Sequence, residues 1–147
     1  MFTNKKISEG LTQLTNIAPI SQGVGTVSSA WVDVKNTHAL MAIINTGILG
    51  TSATVDAKIQ QATAVAGTGA KDVTGKAITQ IVKATGDGKQ ALINFRPQDL
   101  DTNGGFHFVQ LQVTVGTAAS LVSAEIMGGS RFEPASDLNN AIVVQIV

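Results

Sequence analysis

The chain has 147 residues, with 10 basic residues, 10 acidic residues and no cysteine. These numbers exclude a disulfide framework and a cysteine-ligated metal site, and zero net charge gives no electrostatic reason to expect nucleic acid or an anionic membrane as partner. Charged residues make up 14% of the chain, against about 25% in typical soluble domains. Because a surface with few charges costs less to desolvate, this composition favours a protein that buries surface against other copies or a partner.

Residues 1–22 are predicted to form an arm ahead of the folded domain. Ile7, Leu11 and Leu14 are spaced by four and three residues, which fits one short helix. An extended segment lying on a neighbouring molecule is equally compatible. Pro19 and Gly23 end the pattern. We therefore expect residues 23–147 to form a single domain, and removal of residues 1–16 to weaken assembly without unfolding that domain.

The remainder of the chain reads as strands separated by glycine turns. In residues 53–60 apolar and polar side chains alternate, which predicts a strand with one dry and one wet face. The mostly apolar run of residues 38–45 predicts a strand buried on both faces. Further strands are predicted at residues 27–34, 77–82, 91–95, 106–115, 121–127 and 141–147.

About eight short strands without a long helical pattern indicate a single-domain, all-β sandwich. We favour a jelly roll, with an immunoglobulin-like sandwich as the second choice. The uncharged stretch at residues 141–147 would be an aggregation hazard if it stayed unpaired, so we expect it to dock in its own sheet or in that of a neighbour. The candidate interface residues are Ile7, Leu11, Leu14, Ile142, Val144 and Ile146.

One turn is similar to the first half of a calcium-binding loop. Asp99, Asp101 and Asn103 supply oxygen atoms at positions one, three and five, and Gly104 permits the sharp bend. Position twelve is Gln110, where such a loop requires a bidentate glutamate. We interpret the segment as a polar turn between strands, and we predict neither a bound metal nor a cofactor.

The chain offers few groups for catalysis. His38 and His107 are its two histidines, and it lacks the Gly-x-Ser-x-Gly sequence of a nucleophile elbow. A hydrolase would need a cleft that holds one of these histidines beside a serine and an aspartate. Trp31 is the one tryptophan and there is no tyrosine, which leaves little for stacking sugars or bases. We predict that the protein is not an enzyme and that Trp31 belongs to the core.

Several segments resemble small structural proteins of tailed-bacteriophage virions, of the minor capsid or head decoration type. The similar segments are residues 53–62, 67–73, 99–101, 105–109, 113–116 and 130–135, within a resemblance that extends over about residues 25–135. The resemblance implies a β-rich, non-enzymatic virion protein, assembled in the host cytoplasm, but no functional residue. Its partners would be its own copies and the major capsid protein or another virion protein, not nucleic acid or a membrane.

Two alternatives to a head decoration protein remain open. One is a structural protein of the phage neck or tail. The other is a β-sandwich module that binds carbohydrate or a host surface, which an exposed Trp31 would favour and a buried Trp31 would disfavour.

Overall fold

A computed structural model describes residues 4, 6–130 and 143–145 of the chain. Two single-turn 3-10 helices, Pro97–Asp99 and Thr102–Gly104, precede the ninth strand. The other elements, in chain order, are α1 Ile7–Gly10, β1 Leu11–Gln22, β2 Gly25–Ser28, β3 Val32–Asp33, β4 Thr37–Thr46, β5 Thr54–Ala62, β6 Lys71–Ala77, β7 Ile81–Val82, α2 Lys83–Gly86, β8 Gln90–Phe95, β9 Phe108–Gly116 and β10 Ser120–Ser130.

The strands form two antiparallel sheets. The first sheet has the order β1-β10-β4-β8, and the second has the order β2-β9-β5-β6, with β3 paired to β9 and β7 paired to β5. Among the eight main strands, the β5–β6 connection stays within one sheet, and every other connection crosses to the opposite sheet. This is the arrangement of a jelly roll. The predicted fold class, an all-β sandwich of jelly-roll type, is confirmed, and β3 and β7 bring the described strands to ten.

Alternating side chains build the inner face of the second sheet. Strands β5 and β9 pair without a register shift from Thr54 opposite Gly116 to Ala62 opposite Phe108. Inward-facing Ile59 lies opposite Leu111, and both are fully buried. The dry face predicted for residues 53–60 is therefore confirmed, because every second residue meets the opposite sheet.

The first sheet covers the other side of this core, with β10 between β1 and β4. Ala42, Ile44 and Ile126 point inward and are fully buried. Met41 and Ile43, which alternate with them on β4, are partly exposed. The prediction that this strand is buried on both faces is therefore wrong for the single chain, because the second sheet covers only one face of the first.

Residues 11–22, placed in the arm by the sequence pattern, form strand β1 of the first sheet. The strand pairs with β10 from Leu11 opposite Gly129 to Gln22 opposite Ser120, with register shifts between Gln13 and Thr15 and again after Ile17. The first shift interrupts the two-residue period and leaves Leu14 and Thr15 both buried. The spacing of Leu11 and Leu14 therefore fits a helix, although both residues lie in a strand. The helical part, α1, ends at Gly10.

Two further predicted strands differ from the observed ones. The predicted strand over residues 27–34 is broken into β2 and β3, because Ser29 turns inward and its hydroxyl accepts a hydrogen bond from the Leu111 N–H at 3.0 Å. Strand β6 begins six residues before the start of the strand predicted at residues 77–82. Its three charged residues interrupt the apolar pattern from which a strand is predicted. The predicted strand at residues 141–147 lies mostly outside the described residues, and residues 143–145 are not in a strand.

Two leucines that differ in burial give a direct test of this core. Leu111 is fully buried between the sheets, whereas Leu121 is 45% exposed. Replacing Leu111 with alanine should lower the free energy of unfolding by about 2–5 kcal/mol, because it removes buried apolar surface and leaves a cavity. The matched Leu121→Ala variant should lose less than about 1 kcal/mol. Urea unfolding followed by circular dichroism measures both, and equal losses would contradict the described packing.

Candidate functional site

The calcium-like turn is occupied by hydrogen bonds and ion pairs of its own. The Asp99 carboxylate accepts a hydrogen bond from the Arg96 N–H at 2.9 Å and lies 3.0 Å from the Lys76 Nζ. The Asp101 carboxylate lies 2.6 Å from the Lys71 Nζ. Each acidic group thus has its own lysine, and the two carboxylates are not directed to a common centre.

No metal site emerges from the part of the chain that the structure describes. Within it, no group of three or more His, Cys, Asp or Glu residues is placed to hold an ion. Asn103 is exposed in the second 3-10 turn, where Asp101 instead caps the turn by accepting the Gly104 N–H at 3.0 Å. The three residues of the calcium-like pattern therefore form a capped turn between β8 and β9.

Four aspartates on the surface have lowered pKa values. A hydrogen bond from a neighbouring side chain is the largest cause in each case. The aspartates and these neighbours are Asp72 with Gln60, Asp87 with Lys83, Asp99 with Lys76, and Asp101 with Lys71. Such exposed pairs stabilise loops and strand ends rather than preparing a group for catalysis.

These aspartates predict a loss of stability in acid. Because their pKa values are lower in the folded chain, the stability they contribute is complete above the unfolded pKa of about 4 and is lost as pH falls through the folded pKa. We expect the thermal unfolding midpoint to fall between about pH 4 and pH 2. Asp87→Asn, which removes the carboxylate bonded to Lys83 and to the Leu49 N–H, should lessen this fall. A midpoint that does not change over this range would contradict the assignment.

The two histidines do not form a recognisable hydrolytic centre. His38 is exposed at the start of β4. His107 has its Nδ1 atom 3.2 Å from the Asp33 carboxylate, and its ring packs on Phe108 with 4.4 Å between the ring centroids. Across the described residues, no serine hydroxyl is hydrogen-bonded to either ring. The Asp33–His107 pair therefore joins β3 to the segment that precedes β9.

Trp31 is half-buried under a loop and is not part of the core, so the prediction that it belongs to the core is wrong. The residue lies in the β2–β3 connection. A Cβ atom added at Gly67, in the β5–β6 loop, would stand 2.8 Å from the indole Nε1. A Cβ atom added at Gly69 would make an ordinary contact with Phe106 at 3.7 Å, and the Lys71 ammonium lies 4.2 Å from the centre of that ring. The aromatic side chains at this end of the sandwich are therefore covered by the β5–β6 loop.

A glycine substitution tests this loop contact. Gly67 has a φ of +78° and Gly88 a φ of +62°, but no atom lies within 4 Å of a Cβ added at Gly88. Both Gly→Ala variants should incur a backbone cost of about 1–2 kcal/mol. Gly67→Ala should lose more because its methyl group also displaces the Trp31 indole, and its tryptophan emission should shift. Urea unfolding and emission spectra measure this, and identical behaviour of the two variants would refute the contact.

The outer face of the second sheet is polar, and its side chains bond to one another. The hydroxyls of Thr26 and Thr114 lie 2.8 Å apart across β2 and β9. On β5 and β6, the Asp72 carboxylate accepts hydrogen bonds from Lys58 and from Gln60, both at 2.9 Å. A face whose polar groups are already paired has little left with which to orient a sugar.

The outer face of the first sheet has the opposite character. Ile43 lies opposite Leu92, and Met41 lies opposite Met127. We call these four residues the apolar strip. Leu92, on the edge strand, is 55% exposed, and the other three are partly exposed. Glu125, on β10 opposite Ile43, is held by the Gln13 amide at 2.6 Å. The strip crosses three neighbouring strands, β8, β4 and β10, and its side chains are exposed or partly exposed.

A second apolar surface lies at the end of the sandwich that holds the β4–β5 and β9–β10 connections. It consists of Ile20, Ile48 and Leu121, which are exposed and which we call the apical patch. The Leu121 N–H donates to the Ile48 carbonyl at 3.1 Å. Ile20 and Leu121 line one groove of about 370 Å³. This patch was not predicted from the sequence, although a large apolar residue inside the glycine turn Gly47–Gly50 was a signal for it.

The candidate interface residues have different environments. Ile7, on α1, is 83% exposed, and Val144 is 95% exposed. Leu11 is partly exposed at the start of β1, whereas Leu14 is in the core and has no surface to offer a partner. Ile142 and Ile146 lie outside the described residues. A truncation that removes residues 1–16 would delete half of β1 together with Leu14, so it does not spare the fold.

No protein-family model matches the sequence, and no curated protein matches it. Among solved structures, the chain is similar to a protein of infectious bursal disease virus Gx strain, with a TM-score of 0.45 and 11% identity over 86% of this chain and 33% of that one. It is also similar to a xylan-binding domain from Paenibacillus barcinonensis, with a TM-score of 0.41 and 7% identity over 88% of this chain and 96% of the domain. Likenesses this distant carry no argument about function.

A cowpea mosaic virus empty-particle protein is a third similar structure, with a TM-score of 0.40 and 12% identity over 88% of this chain and 86% of that one. The chain thus spans one third of the length of the first of these proteins and most of the other two. Among the described residues, no helix is long and apolar enough to cross a membrane.

Proposed function

We propose that the protein is a non-enzymatic structural component of a tailed-phage virion, a decoration protein that binds the head surface. The apical patch is the observation that carries this proposal. It exposes Ile20, Ile48 and Leu121, of which Ile20 and Leu121 line one groove, in a chain with few charges. Burial of such surface against another protein is favourable by about 25 cal/mol per Å² of apolar area.

On a symmetric shell, even a small patch would be sufficient for stable binding. A head surface offers many equivalent positions, and contacts that are weak one by one add up when they are repeated by symmetry. The protein would stabilise the head by contacts of the apical patch with the major capsid protein and by contacts between its own copies.

The alternative of a sugar-binding module has less support. The Trp31 indole is half-buried and lies against Gly67, so protein already covers part of the ring that a sugar would stack on. The polar outer face of the second sheet has hydrogen bonds within itself, as the Asp72 carboxylate illustrates. A jelly roll serves capsid proteins and lectins alike, so these surfaces, and not the fold, favour the structural role.

Mass spectrometry of purified phage particles tests the location. A copy number close to that of the major capsid protein would support head decoration. A few copies per particle would instead assign the protein to the neck or the tail. Absence from particles would overturn the virion proposal.

Rebinding of purified protein to heads that lack it tests the apical patch. The double variant Ile48→Asp with Leu121→Asp should bind at least about tenfold more weakly, because it places two charges where apolar surface must be desolvated. Both side chains are exposed, so the fold should be retained. Val65→Asp is the matched control, since Val65 is equally exposed but lies in the β5–β6 loop at the other end. Unchanged binding of the double variant would place the contact elsewhere.

A further inference from the structure

Three of the four sheet edges carry features that prevent pairing with another strand. Strand β1 contains Pro19, which has no N–H, and two register shifts. At the β2 edge, the paired segments are four and two residues long. Strand β6 carries Lys71, Asp72 and Lys76, and its Gly75 has a φ of +72°. Charges, proline, bulges and short strands are the usual means by which proteins protect an edge.

Strand β8, at the remaining edge, has none of these features. Its six residues, Gln90–Phe95, include no charged residue, no proline and no glycine. It pairs with β4 in an unbroken register from Phe95 opposite Leu40 to Gln90 opposite Asn45. Its outward side chain Leu92 is 55% exposed. An edge strand this regular and this apolar is a template for a further strand.

The hydrogen bonds identify which backbone groups of β8 point away from β4 on this edge. The Thr46 N–H donates to the Lys89 carbonyl at 2.9 Å, so Lys89 faces β4. In an antiparallel ladder this orientation alternates, which turns the N–H and C=O groups of Gln90, Leu92 and Asn94 to the open side. The Lys76 ammonium confirms it by donating to the Asn94 carbonyl at 2.9 Å.

We propose that β8 of one copy pairs antiparallel with β8 of a second copy around a two-fold axis at Leu92. This register places Leu92 opposite Leu92 of the second copy and Gln90 opposite Asn94 of the second copy. All three positions present outward backbone groups, so the pairing would form about six N–H···O bonds. The Asn94 carbonyl can keep its bond to Lys76, because a carbonyl oxygen accepts two hydrogen bonds.

A second copy fits this edge better than a strand of another origin for two reasons. Residues 90–94, which would pair, carry no charge, so self-pairing places no like charges directly opposite one another, and it matches the amide of Gln90 with that of Asn94. It also joins the apolar strips of the two copies, because Leu92 of each strip would lie at the two-fold axis beside its own Ile43. The inference goes beyond the proposed function, since it concerns the isolated chain and does not require a phage head.

Introducing a charge of either sign at Leu92 tests the pairing in the purified full-length protein. Sedimentation over a range of concentrations should show a dimer for the unaltered chain. Leu92→Lys and Leu92→Glu should each weaken the dimer at least about tenfold, because like charges would face each other at the axis. An equimolar mixture of the two variants should form a heterodimer, because opposite charges then meet. Val65→Lys, at a similarly exposed position far from β8, should dimerise normally.

Three results would overturn the proposal. The first is a monomer at every concentration, and the second is a dimer that neither charge variant weakens. The third is weakening by both variants without recovery in the mixture, which would indicate that β8 binds a different segment, such as residues 141–147. Circular dichroism of each variant verifies folding. Because no phage particle is present, failure here leaves the head-binding proposal to its own particle measurements.

Discussion

The apolar layer between the two sheets is the constraint on which the rest of this structure depends. Ile44 and Ile126 reach into it from the first sheet, and Ile59 and Leu111 reach into it from the second. Because almost every connection between the main strands crosses from one sheet to the other, neither sheet can assemble its inner face before the other is present. Most contacts therefore join residues far apart in sequence, which is typical of slowly folding β-sandwiches.

The same layer explains why the two outer faces differ. The second sheet alternates apolar with polar residues, and its outer side chains bond across strands, as Thr26 does with Thr114. The first sheet instead carries Met41, Ile43 and Leu92 on its outer face. A strand that is apolar on both faces is typical of a sheet covered on both sides. In the part of the chain that the structure describes, the second sheet covers only the inner side, and Leu92 on β8 stays 55% exposed on the outer side.

Two exposed apolar surfaces result, and we propose a different partner for each. The apical patch lies at one end of the sandwich, where Ile48 in the β4–β5 connection and Leu121 at the start of β10 are exposed to a neighbouring protein. The apolar strip ends at the edge strand β8, where backbone and side chains both suit a second copy. The low charge of the chain serves both surfaces, because burial of an unpaired charge is costly.

The sequence by itself determined the fold class, since alternation in residues 53–60 and glycine turns depend only on local geometry. It also indicated that the Asp99 turn lacks the full ligand set of a calcium loop. Only the tertiary structure decided that residues 11–22 are a strand, because a bulge at Leu14 hides the two-residue period. It alone also showed Leu14 to be buried, the apical patch to be assembled from three separate segments, and β8 to be an unprotected edge. Edges and patches arise from which strands become neighbours, and no local pattern encodes that order.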